Sequence, residues 1–143
     1  MKMKLKLTLL LFGVSIIFFM GCRKDPGRAV TIVGTNLNSP KPGTLTGTFT
    51  ATGAFNTSGT AVMVVVPVGL DSIHCTYAMT ARNGTFNIAM DCEKPPKMTG
   101  VWKVINGTGR YNHLQGNGSL IMMFPPDIPA GAISTETMTG VVW

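Results

Sequence analysis

From Leu45 to Phe55 the chain repeats every two residues. Leu45, Gly47, Phe49, Ala51, Gly53 and Phe55 are apolar or small, and Thr46, Thr48, Thr50 and Thr52 stand between them. Side chains of an extended strand point alternately to opposite faces, so this stretch offers one face to a core and a hydroxylated face to water. A helix of about 3.6 residues per turn would spread the same residues around its whole circumference. The same period marks strands at Ala61–Val68, Ser72–Ala81, Thr85–Cys92, Thr99–Ile105, Ser119–Phe124 and Ile133–Val142, with a short one at Ala29–Val33. Glycine, asparagine and proline fill the gaps. No capped amphipathic helix of normal length and no repeat of about 20 to 50 residues is present, so the chain is expected to be all-β.

The N-terminus has a different character. Lys2, Lys4 and Lys6 precede an apolar run from Leu7 to Met20, and Gly21-Cys22 follows. The run is 14 residues long, short of the ~20 that a transmembrane helix needs. A bacterial secretion signal with a lipobox-like end fits it, which makes Cys22 the lipidated first residue of the mature chain; ordinary cleavage and an uncleaved anchor are the alternatives. The expected organisation is a signal peptide over 1–21, a lipid-anchored tether over 22–43 carrying Pro26, Gly27, Pro40, Pro42 and Gly43, and a β domain over 44–143. Such a protein resides in the bacterial cell envelope, on the periplasmic or cell-surface side. Without the three signal lysines the net charge falls from +6 to +3. The remaining basic residues are scattered along the sequence, which gives no footprint for nucleic acid.

Asn83-Gly84 suits a two-residue hairpin turn with positive φ at both central positions. With Arg82 opposite Thr85, the register sets Tyr77 against Met90, Cys75 against Cys92 and His74 against Glu93. Cys75 and Cys92 then form a non-hydrogen-bonded pair with Cα atoms about 4.5 Å apart, close enough for a disulfide, which an exported chain is placed to form. Two buried thiols are the alternative. Pairing these two leaves Cys22 over for the lipid.

Few residues carry readable chemistry. His74, Asp71, Asp91 and Glu93 lie near the hairpin, but with two histidines and no HxH or HExxH spacing, no metal site is read from them. GxSxG is absent, and the glycines at 107–109 and 116–118 fit neither dinucleotide-binding nor P-loop spacing, so no cofactor is expected. Asn56, Asn83, Asn106 and Asn117 each open an N-x-[ST] sequence and are read as turn residues.

The stretch Trp102–Leu120, WKVINGTGRYNHLQGNGSL, carries Gly107, Thr108, Gly109, Tyr111, Leu114, Gly116 and Gly118. In this spacing it resembles the allene oxide cyclase and dirigent barrel superfamily, whose members show a strand, Gly-Thr-Gly, an aromatic, a Leu or Ala and further glycine before the next strand. The resemblance implies a single small antiparallel β-barrel of about seven to eight strands, with Tyr111 and Leu114 plugging one end and the last strand closing against an early one. It also implies an apolar cavity for a hydrophobic small molecule and a homotrimer. Candidate lining residues are Phe49, Phe55, Met79, Phe86, Ile88, Met90, Trp102, Leu120 and Met122, which would equally fill a solid core. No catalytic residue carries over.

Ala61–Val66 is apolar on both faces, so a subunit contact or an overlying loop, with the tether or Pro125-Pro126 to Ala132 as candidates, is expected to cover its outer side. The functional expectation is a noncatalytic envelope lipoprotein that binds a partner or a small hydrophobic ligand. A cyclase-like or isomerase-like enzyme using the barrel cavity, and a small inhibitor or adhesin, are the alternatives.

Overall fold

The computed structural model describes residues 26–94, 98–123 and 132–143. Eight strands follow one another: β1 (Arg28–Asn38), β2 (Thr44–Gly53), β3 (Thr57–Val68), β4 (Ser72–Ala81), β5 (Gly84–Glu93), β6 (Thr99–Gly107), β7 (Gly116–Met123) and β8 (Ala132–Val142). Each pairs antiparallel with its sequence neighbours, and β1 pairs with β8, so the sheet closes into a barrel without a free edge. A 3₁₀ turn, Gly109–Tyr111, lies between β6 and β7. Among the described residues no helix is long and apolar enough to cross a membrane.

The strands follow from the two-residue period. Ile32, Phe49, Met63, Tyr77, Met79, Ile88, Trp102, Leu120 and Met138 point inward and are buried in one core, while the threonines between them face out. Closure corrects the expected tether. Residues 28–38 are not a spacer but β1, hydrogen-bonded on both sides, because Val30, Ile32, Gly34 and Asn36 complete the interior wall between β2 and β8. Residues 1–25, which carry the expected signal and Cys22, lie outside the described residues.

The β4–β5 hairpin departs from the expected register. Ala81 pairs with Gly84, leaving Arg82 and Asn83 as the loop, and Thr80 faces Thr85. Met98 is the one described non-glycine residue with positive φ, so Asn83 does not take the left-handed conformation that the expected turn needs. The turn is instead tied to the Gly107–Arg110 corner. Arg110 N–H donates to Asn83 O at 2.9 Å, Thr108 N–H to Thr85 O at 2.8 Å, and Thr85 N–H to Thr108 Oγ1 at 3.1 Å. Gly84 makes this approach feasible: at φ +143°, a Cβ there would sit 2.2 Å from Thr108 O.

Because the shift moves each partner by two residues, every side chain keeps its expected face and only the partners change. Tyr77 meets Ile88 rather than Met90, and Cys75 meets Met90 rather than Cys92. His74 meets Asp91 rather than Glu93. Asn106 and Asn117, expected in turns, lie within β6 and β7.

On the outer wall of β3, Val62, Val64, Val66 and Val68 are 43–50% exposed. No described segment covers them as the sequence leads one to expect, and residues 125–131, one of the candidate covers, lie outside the described residues.

Candidate functional site

The two ends of the barrel differ in chemistry. At the end formed by residues 54–56, the β4–β5 turn and the β6–β7 connection, four aromatic rings interlock. Phe86 contacts Phe49 edge-on at 5.5 Å between centroids, Phe55 at 5.9 Å and Tyr111 at 5.0 Å, and Phe55 lies 5.6 Å from Tyr111. Edge-to-face and tilted packing matches the ring quadrupoles and seals this aromatic end. Thr108 fastens the plug to β5 through its backbone and hydroxyl, and Leu114 packs partly buried beside it.

The interior toward the other end is polar. Asn36 of β1, Tyr77 of β4, and Ser134 and Glu136 of β8 point into the lumen, and Asn36, Ser134 and Glu136 are buried. The Tyr77 hydroxyl donates to Asn36 Oδ1 at 3.1 Å. Asn36 Nδ2 donates to Ser134 Oγ at 3.2 Å and to Glu136 Oε2. One amide thus links a phenol, a hydroxyl and a carboxyl across three strands. Glu136 Oε1 has no hydrogen-bond partner.

Gly34 makes room for this group. A Cβ on Gly34 would lie 1.8 Å from Glu136 Oε1 and 2.5 Å from the Tyr77 hydroxyl, so the carboxyl and the phenol meet in the space that glycine leaves on β1. Burial pushes the Glu136 carboxyl above the usual carboxylate range, and its interactions with Tyr77 and Asn36 pull it back only in part. Burial, and then the Glu136 charge, push the Tyr77 phenol up as well. The site therefore favours a neutral acid beside a neutral phenol, two hydrogen-bond donors in an apolar enclosure.

Cys75 and Cys92 face the same part of the lumen, both buried, as free thiols on diagonal positions of adjacent strands. Contact with Cys92, burial and the Glu136 charge push the Cys75 thiol up. The expected directly opposed pair is thus a diagonal one, a consequence of the shifted hairpin. On the outer wall, His74 Nδ1 lies 2.6 Å from Asp91 Oδ1, a partly exposed cross-strand pair. Among the described residues no three His, Cys, Asp or Glu side chains come together to hold a metal ion.

Of the lining residues named from sequence, Phe49, Met79, Phe86, Ile88, Met90, Trp102, Leu120 and Met122 are buried in the core, and Phe55 joins the aromatic plug half-buried. Asn36, Ser134 and Glu136 were not among them, although Glu136 shares its parity with Met138 and Val142 and so already points inward by the two-residue rule.

No protein-family model matches the chain. No curated protein matches it either. Among solved structures, the pterocarpan synthase dirigent protein GePTS1 is similar in fold, with 9% sequence identity, a TM-score of 0.48, and coverage of 83% of this chain and 87% of that one.

Proposed function

We propose that this chain is an exported, lipid-anchored barrel of the bacterial envelope that holds a small, largely apolar ligand by a single polar head group at the polar part of its lumen. One observation carries the reading. Glu136 is fully buried, yet one carboxyl oxygen lacks a partner while Asn36, Tyr77 and Ser134 converge around the other groups. A buried polar atom without a partner costs about 1–3 kcal/mol, and a purely structural core gains nothing from it that a leucine would not supply. Buried acids whose carboxyl is pushed up by desolvation are characteristic of functional sites. With Oε2 accepting from Asn36, the proton of the neutral acid sits on Oε1, so a ligand acceptor facing Oε1 removes the penalty, and the apolar side chains around it supply the remaining affinity.

The test uses Prodan, an apolar naphthalene fluorophore with one ketone carbonyl as acceptor. Wild type is expected to take it up with enhanced fluorescence, and Glu136→Leu to bind it at least about tenfold more weakly. No uptake by wild type, or equal uptake by the variant, refutes the reading. The neutral acid beside Tyr77 favours a second reading, proton donation to a bound carbonyl as in an isomerase. Glu136→Gln separates the two, because it retains binding in both and abolishes conversion only in the second.

A further inference from the structure

Three arginines far apart in the sequence are gathered by the fold at one end of the barrel, while Lys41 and Lys94 lie at the opposite end. Arg28 opens β1, Arg82 sits in the β4–β5 turn and Arg110 in the 3₁₀ turn, and all three are exposed at the aromatic end. His113 and Trp143 join them there, and among the described residues no Asp or Glu does. Asp71, Asp91 and Glu93 belong to the opposite end, where the Lys94 ammonium donates to the carbonyls of Gly69 and Leu70 at 3.1 and 2.7 Å. The arginine ledge is braced, because the Arg110 N–H bond to Asn83 O locks the two turns together. Beside it lies a groove of about 240 Å³ lined by Gly109, Arg110, Asn112, His113, Leu114 and Trp143. Trp143 is 40% exposed, and its indole N–H donates to Gln115 Oε1 at 3.1 Å.

We propose that this end is a docking surface for anionic phospholipid headgroups, holding the barrel upright with the polar part of the lumen turned away from the bilayer. The chain arrives at the same end. Between Cys22 and Arg28 stand five residues, which span at most about 17 Å. The orientation rests on reading Cys22 as the lipid anchor; the docking chemistry does not. Arginines neutralise phosphate, and a half-exposed tryptophan with a polar N–H suits the headgroup level of a bilayer. Each basic group near an anionic surface is worth about a fivefold gain in binding.

The test reconstitutes the full lipidated chain in phosphatidylcholine vesicles with or without phosphatidylglycerol, both carrying brominated acyl chains that quench tryptophan at short range. Trp102 is buried in the lumen, so a Trp143→Phe variant gives the background. Quenching of Trp143 is expected in anionic vesicles, and its loss in neutral vesicles, at high salt and in Arg82→Glu/Arg110→Glu. An unchanged urea midpoint of that double variant establishes that it folds. Absence of Trp143 quenching in anionic vesicles, or quenching indifferent to lipid charge or to the double reversal, overturns the proposal. Chain recovered without lipid at Cys22 overturns the anchor alone. Such chain is still expected to sediment with anionic vesicles, at least about 30-fold more weakly after the double reversal, which removes two basic groups and adds two acidic ones.

Discussion

Glu136→Gln keeps the size and the acceptor oxygen of the side chain and removes its ability to ionise. In the folded barrel burial raises the Glu136 carboxyl above its ordinary value, whereas in the unfolded chain it titrates near pH ~4.3. Above that value the unfolded state has released a proton that the folded state still holds. Stability is therefore fully present below pH ~4.3 and is lost as pH rises through the folded pKa. The slope inside this window is about 1.4 kcal/mol per pH unit for one proton, a large fraction of the roughly 5–15 kcal/mol that holds a domain together. Tyr77 and Cys75, which face the same carboxyl, are pushed upward and stay protonated throughout, so they add no slope of their own. Urea titrations at steps from pH 4 to pH 8, read by Trp102 fluorescence, are expected to show a midpoint that falls with pH in wild type more than in Glu136→Gln. The two curves are expected to diverge in favour of the variant at neutral pH. Parallel curves would mean that Glu136 is ionised in the fold as readily as in the unfolded chain, and the account of the lumen as a neutral-acid site would fail.

Three further outcomes are expected. Gly34→Ala places a methyl 1.8 Å from Glu136 Oε1 and is expected to cost about 1–3 kcal/mol in urea unfolding, with part of the loss recovered in Gly34→Ala/Glu136→Ser; equal losses in both would show that the clash lies elsewhere. Exposure of the purified chain to oxidised glutathione is expected to join Cys75 to Cys92, lowering the intact mass by two hydrogens and adding on the order of 3 kcal/mol for a loop of about 18 residues. Two thiols still alkylated after that treatment and denaturation would exclude the bridge. Labelled palmitate is expected to enter the wild-type chain and not Cys22→Ser, and equal labelling would remove Cys22 as the anchor.

Strand positions were legible because a two-residue period is a local signal: β2, β4, β5 and β8 fall within three residues of their expected limits. The first strand was legible only over Ala29–Val33, because Pro26, Gly27, Pro40, Pro42 and Gly43 bracket it and imitate a linker; its full length and role depend on β8, about 100 residues away in sequence. The hairpin partners were missed for a related reason. Asn83-Gly84 favours one turn in isolation, but hydrogen bonds from Thr108 and Arg110 select another, and their contribution is invisible to a local reading.

Sequence by itself determined which side chains face in. Alternation is a property of the extended backbone and survives a register shift of two, so the apolar interior, the threonine-rich exterior and even the inward position of Glu136 were fixed before any strand was paired. Tertiary structure alone decided what those side chains meet. Closing the barrel brought Asn36, Tyr77 and Glu136 from three strands over the bare backbone of Gly34, and it gathered Arg28, Arg82 and Arg110 at one end. Neighbours across a closed sheet are set by pairing and closure, which no local period encodes.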